Sequence, residues 1–258
     1  MKPKLFTALL LTWILICMDT LVFGQSTRQQ AIWYGYFLTV PITEKWYTMT
    51  EIQERHLVGP IQQNQFLIRT RLQRKLGENW EGGTGFSLFL HHRNGSSEND
   101  DFNWPEIRPH LESTFKTKLN RVMLEQRIRG EARFFQNFDS ESESLTEGFQ
   151  FRAFRARYRL QATFPIAKIQ GEKALKLKIA NEIMGMGAGE IGAFTFDQNR
   201  ISSDFSLELS PKIQLEIGYV YWHQALNSGG FLNQHIIRTY LRHTLSSKEK
   251  GRKTGLSD

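Results

Sequence analysis

Between Arg121 and Phe134 charge falls on every second residue: Arg121, Glu125, Arg127, Arg129, Glu131 and Arg133 share one row, interrupted only by Met123. The intervening row, Val122, Leu124, Gln126, Ile128, Gly130, Ala132 and Phe134, is largely apolar. A second segment, Phe149 to Phe164, repeats the pattern with Arg155, Arg157, Arg159, Gln161 and Thr163 against Phe154, Ala156, Tyr158, Leu160, Ala162 and Phe164. Rows of guanidinium and carboxylate groups can do two things. They can neutralise one another as ion pairs, or they can leave a basic surface that attracts anions.

Other candidates for chemistry are thinner. Ser203 and His223 are the residue types of a nucleophile and base, but no local motif ties them together. His91 and His92 are adjacent, so a strand sends them to opposite faces and they cannot share a metal. The Gly185 to Gly189 stretch lacks the Lys-Ser or Lys-Thr of a phosphate loop. Glu125 and Glu131 share their face with Arg127 and Arg129, which favours ion pairs over a catalytic carboxylate pair. No cofactor and no metal is expected, nor an enzyme. The bases alternate with apolar residues instead of clustering with free aromatics, which argues against a nucleic-acid partner.

A period of two puts successive side chains on opposite faces of a strand. The elements that must position these charges are therefore β-strands, and the same alternation recurs along the chain. Arg69 and Arg71 oppose Phe66, Ile68 and Leu72; Glu106, Arg108 and Glu112 oppose Ile107, Pro109 and Leu111. Lys176, Lys178 and Glu182 oppose Leu175, Leu177, Ile179 and Ile183, and Arg200, Asp204 and Glu208 oppose Ile201, Phe205 and Leu209. Glu51, Gln53 and Arg55 mark an early strand, Gln214, Glu216 and Gly218 a late one, and the alternation blurs from Leu232 to Leu245. Small residues, Gly83 and Gly85, sit on the polar face, where they relieve crowding inside a barrel.

Short connections at Asn120, Lys168 to Glu172 and Ser210-Pro211 interleave with long polar ones at Asn94 to Asn103, Phe138 to Gly148, Gly185 to Gly192 and Asn227 to Gly230. Short turns at one end and longer loops at the other are the pattern of a transmembrane barrel. Strand lengths near the ~9–11 residues of a tilted crossing agree. Aromatic residues fall near strand ends, among them Trp33, Trp46, Trp80, Trp104, Phe134, Phe164 and Trp222, where interfacial rings belong. Eleven segments can be counted. A barrel with both ends on one side needs an even number, so 10 or 12 strands are expected.

Within 258 residues and a formal charge of +7, Lys2 and Lys4 precede an apolar run from Leu5 to Cys17, and Leu21 to Gly24 leads into polar sequence. This is the order of a secretory signal peptide, with cleavage expected after Gly24. Cys17 is the only cysteine, so the mature chain would carry none and would rest on hydrogen bonds and packing. Residues 25–245 then form the barrel, and 246–258 a polar, basic and disordered tail.

The sequence resembles the domain of unknown function 2490 family, a group of outer-membrane barrels with no settled activity. The resemblance rests on Arg69 and Arg71, Leu124-Glu125-Gln126-Arg127, Phe154-Arg155-Ala156-Arg157-Tyr158-Arg159, Asp197-Gln198-Asn199-Arg200, Gly218-Tyr219 and His235, and spans roughly Trp33 to Leu245. The basic tail and the lack of a terminal aromatic depart from the usual barrel end. The expected fold is an all-β, antiparallel transmembrane barrel of about 10–12 strands with a charged lumen, in a bacterial outer membrane. Lumen residues are expected to be Arg69, Arg71, Arg108, Arg121, Arg127, Arg129, Arg133, Arg155, Arg157, Arg159, Lys176, Lys178 and Arg200 against Glu51, Glu106, Glu112, Glu125, Glu131, Glu182, Asp204 and Glu208. Expected partners are outer-membrane lipid, the barrel-insertion machinery and small anionic solutes. The lumen is either closed by salt bridges or a narrow channel or pocket for such solutes; the alternative is an outer-membrane hydrolase acting on lipid.

Overall fold

A computed structural model describes residues 26–93, 102–139, 144–169, 173–187, 194–226 and 229–246. The segment 1–24 expected as a signal peptide, and the expected tail from residue 247 on, lie outside the described residues.

The chain forms a closed β-barrel. Its strands are β1 (Ser26–Pro41), β2 (Trp46–Val58), β3 (Gln62–Lys75), β4 (Trp80–Arg93), β5 (Phe102–Leu119), β6 (Val122–Asp139), β7 (Ser144–Lys168), β8 (Ala174–Gly187), β9 (Phe194–Ser210), β10 (Ile213–Ala225) and β11 (Phe231–Thr244). The period-two alternation allows closure: most strands carry one apolar row and one polar row, so a single sheet can curl with the polar rows inside, while the inward row of β1 is itself largely apolar, with Ala31, Trp33 and Phe37 buried.

The expected all-β barrel of about 10–12 strands is found, with eleven among the described residues, and only the parity argument for 10 or 12 is corrected. Eleven strands close because β1 lies parallel to β11, from Ser26↔Phe231 to Thr39↔Thr244, while the other neighbours are antiparallel. An even count is required only when the closing pair is antiparallel. Both β1 and β11 run from what we call the upper end, where β4 and β8 end and β5 and β9 begin, to the lower end, which carries the turns at 120–121 and 211–212. Asn120 adopts φ 55° in the tight turn between β5 and β6, a left-handed conformation that Asn tolerates better than most residues.

The stretch expected as a loop from Phe138 to Gly148 is mostly strand. Phe138 pairs with Leu145 and Asp139 with Ser144, so the β6–β7 hairpin extends well above its neighbours. Its backbone groups pair with each other, which two antiparallel strands can do without a flanking sheet.

Outward side chains are apolar around the circumference. Ile52, Phe86, Leu111, Ile128, Phe205, Ile217 and Ile237 are all exposed, Leu111 at 69%. Several outward polar groups are hydrogen-bonded to one another across strands: Thr50 to Thr70 at 3.2 Å, Gln126 to Tyr158 at 2.9 Å and Asn181 to Asn199 at 2.7 Å.

Candidate functional site in the barrel lumen

The register of β6 and β7 sets the problem that the lumen has to solve. Arg127 stands opposite Arg159 and Arg129 opposite Arg157. Like charges directly across a sheet repel, and the hairpin's own Glu125 and Glu131 are too few for its inward arginines, Arg127, Arg129, Arg133, Arg155, Arg157 and Arg159. Carboxylates arrive from both flanking strands. From β5, Glu112 accepts from Arg129 Nε at 2.8 Å; from β8, Glu182 accepts from Arg157 Nη2 at 2.8 Å and Arg127 Nη2 at 2.7 Å. Glu131 lies between, taking Arg157 Nη1 at 2.8 Å and Arg129 Nη1 at 3.3 Å. Arg159 pairs with Glu125.

The lattice continues around the wall. Arg69 donates to Glu51 at 2.6 Å and to Ser87 at 2.7 Å, and Arg71 lies 3.3 Å from Glu112 and 3.6 Å from Glu51. Arg238 grips Asp204 through Nε and Nη2, while Lys178 and Arg242 share Glu216. Near the upper end Glu106 gathers Arg108 at 2.5 Å, Arg133 at 2.5 Å and His91 at 2.7 Å, and Arg155 pairs with Asp197 at 2.8 Å. Lys176 and Glu208 form a pair at the lower rim with each side chain about a third exposed.

Arg121 is corrected: it sits in the two-residue turn before β6, exposed, and outside the lumen. Two aromatics expected at the outer boundary are corrected as well. Trp33 and Trp222 point inward, 3% and 9% exposed, and form an apolar cluster with Ala31, Val220 and Ile236. With Leu67 and Met184 also fully enclosed, the upper lumen is packed with side chains.

Below that packing lies a cavity of about 320 Å³. Trp33, Phe89, Arg55, Arg155 and Arg200 bound it at the upper side; Tyr47, Glu81, Lys116 and Gln161 bound it near the lower end. The lower cations are the wetter ones: the Lys116 side chain is 37% exposed and Arg242 33%, against 5% for Arg155. Access is therefore from the lower end. Thirteen Arg and Lys line the cavity against seven Asp and Glu. Among the sequence-expected residues, Glu51, Arg69, Arg71, Arg108, Glu112, Glu125, Arg127, Arg155, Arg157, Arg159, Lys178, Glu182, Arg200 and Asp204 line it. Glu106, Arg129, Glu131, Arg133, Lys176 and Glu208 belong to the surrounding ion-pair lattice.

The lumen also holds Arg55, Arg238, Arg242, Glu216, Lys116 and Glu81, which the sequence-based lumen set omits. The pattern marked Arg55 and Glu216 as polar-face residues; nothing in the blurred last strand singled out Arg238 and Arg242.

Aromatic rings carry several of the guanidiniums. Arg108 lies 3.7 Å from the Phe89 centroid, Arg55 4.0 Å from Trp33, Arg200 4.1 Å from Trp222 and Arg242 4.2 Å from Phe37. Stacking on a ring face partly offsets the loss of water around a cation.

The Ser203 and His223 pair does not assemble. Ser203 stands opposite Tyr219, four residues from His223 along β10, or roughly 13 Å at strand rise. The His223 ring bonds Asn233 at 2.7 Å instead. Among the described residues there is no group of three or more His, Cys, Asp or Glu that could hold a metal ion.

A closed single-sheet barrel with an ion-paired, net basic interior is the class that fold and site define. The chain matches the family described as Protein of unknown function (DUF2490) over residues 30–233 and belongs to it. No curated protein matches the chain. Most of the residues that carry the family resemblance converge in the lumen: Arg69, Arg71, Glu125, Arg127, Arg155, Arg157, Arg159, Asp197 and Arg200 join the lattice or the cavity wall, and Gly218 leaves room for Asp204, whereas Tyr219 and His235 lie on the outer face, 2.6 Å apart.

Proposed function

We propose that this protein is an outer-membrane β-barrel whose lumen is a blind basic pocket for small anionic solutes, entered from the lower end, and that it does not conduct freely. The membrane assignment is supported by the outward face. Large apolar side chains exposed all around a barrel are costly in water, and outward polar groups that pair with each other across strands suit a solvent that offers them no partner. A signal peptide at residues 1–24 would supply the export route, and the barrel-insertion machinery and outer-membrane lipid are the partners this route implies.

The observation that carries the pocket is its charge: thirteen cations line the cavity against seven carboxylates, with Glu106, Glu131 and Asp197 pairing from behind the wall, so that cations stay in excess and, among the described residues, Arg55 and Arg200 have no carboxylate within 4.0 Å. A purely structural lumen would do best with balanced pairs, because an uncompensated charge away from bulk water is expensive. The excess is arranged to attract anions. The enclosed Trp33, Trp222, Leu67, Met184 and Ile236 above the cavity stand in the way of a through-path.

Reconstitution of the purified chain in planar bilayers tests this directly. No steady single-channel current is expected, together with saturable binding of small anions to the micelle-bound protein. A stable anion-selective current contradicts the blind pocket. Recovery of the chain as a soluble monomer, without heat-modifiable migration on a gel, removes the membrane assignment.

A further inference from the structure

Among the described residues, all but two of the cations lining the cavity lie within 4.0 Å of a carboxylate. The exceptions are Arg55 on β2 and Arg200 on β9, and they lie beside the same ring. Arg55 is 4.0 Å and Arg200 5.5 Å from the Trp33 centroid, which places their guanidinium carbons within about 10 Å of each other. Arg55 donates only to amides, to Gln53 through Nε and Nη2 and to Gln65 through Nη1. Arg200 has no hydrogen-bond partner, and its Nε is buried. Of the five N–H donors on each guanidinium, two on Arg55 and all five on Arg200 are therefore unclaimed. Trp222, stacked on Arg200 at 4.1 Å, supplies an aromatic face and no anion.

Two like charges in an enclosed floor repel and lose hydration, and stacking on indole does not neutralise them. The arrangement becomes favourable when a ligand brings two negative charges and enough acceptors. One carboxylate brings one charge and two oxygens. A phosphate or phosphate monoester dianion brings two charges and at least three oxygens, and guanidinium forks match its geometry bidentately. We infer that Arg55 and Arg200, flanking Trp33, form the specificity subsite of the pocket and recognise a phosphate-type dianion. The inference rests on the anion-pocket function proposed above and names its ligand class.

Isothermal titration of the full chain in detergent micelles with inorganic phosphate, glycerol 3-phosphate, succinate and acetate tests it, with micelles doped with phosphatidic acid as a further arm. The three phosphate arms separate a free ion, a soluble ester and a lipid headgroup. Phosphate or its ester is expected to bind at least tenfold more tightly than acetate or succinate. Arg55→Gln and Arg200→Gln should each weaken that binding tenfold or more, and the double variant should abolish it. Arg200→Lys, which keeps the charge and loses the fork, should fall between wild type and Arg200→Gln, and it serves if the Gln variant fails to give the heat-modifiable folded form. Acetate or succinate binding as tightly as phosphate, or phosphate binding indifferent to both arginines, overturns the subsite and leaves the anion pocket standing. Absence of binding by every anion removes both.

Discussion

Replacing Arg129 with Met asks how much the ion-pair lattice holds the barrel together. The Arg129 side chain is wholly enclosed and donates three times, to Glu112 through Nε and Nη2 and to Glu131 through Nη1. Removing one partner of a buried pair costs about 3–5 kcal/mol when the other is left alone. Neither carboxylate is left alone here: Glu112 keeps Arg71 at 3.3 Å, and Glu131 keeps Arg157 at 2.8 Å. The expected loss is therefore at the lower end, about 3 kcal/mol. Lys176→Met is the internal control, because its pair with Glu208 is a third exposed and such pairs contribute about 0–1 kcal/mol. With a urea slope of about 2 kcal/mol per M, Arg129→Met should lower the unfolding midpoint by about 1.5 M and Lys176→Met by about 0.5 M at most. Urea titration of the micelle-folded protein, followed by Trp fluorescence and by gel migration of unheated samples, reads both. Equal midpoints for Arg129→Met and wild type, or equal losses for the two variants, would refute the lattice as a source of stability.

Other expected outcomes follow from the outer face and from one close approach. Ile128→Arg, near the middle of β6 on the outward row, should cost about 2–4 kcal/mol in lipid, whereas Leu124→Arg, two residues from the start of β6, should cost about 0–1 kcal/mol; equal effects in vesicle refolding would contradict the placement of the bilayer. Tyr158→Phe strips Gln126 of its 2.9 Å partner on that face and should cost about 1 kcal/mol by the same titration, with no loss if the face is wet. At Gly218 a Cβ would lie 2.0 Å from Asp204 Oδ1 and 2.6 Å from the Ser203 carbonyl. Gly218→Ala should therefore cost about 1–3 kcal/mol and push Asp204 from Arg238; an unchanged midpoint would show that the wall yields there.

Much of the fold was legible because the period-two pattern is strong in most strands, although β1 is apolar on both faces, with Ile32 and Tyr34 outward and Ala31, Trp33 and Phe37 inward. The last strand blurred for a physical reason. Gln234, Ile236, Arg238, Tyr240 and Arg242 face the lumen, and its upper part is itself apolar, so Ile236 and Arg238 share a face. The same local apolarity hid Trp33 and Trp222, whose positions near strand ends suited an interfacial ring equally well. Strand parity was misjudged because closure by a parallel pair leaves no mark on either strand alone. The candidate site was legible as a face but not as a set of partners: the Arg rows of β6 and β7 and the Glu125 and Glu131 among them are plain in the sequence, while Glu112, Glu182 and Asp197 reach them from β5, β8 and β9 through register. The isolation of Arg55 and Arg200 was invisible for the same reason, since a cation without a carboxylate is defined only once every neighbour is in place.

The claim on which the rest depends is that the apolar row meets lipid while the charged row lines an enclosed lumen. Nitroxide labels on Leu111→Cys and Ile128→Cys, outward positions 69% and 63% exposed, measure it most directly in reconstituted vesicles. Relaxation by lipid-soluble oxygen exceeding relaxation by a water-soluble nickel chelate at both sites is the predicted result. Greater relaxation by the nickel chelate at either site would contradict it.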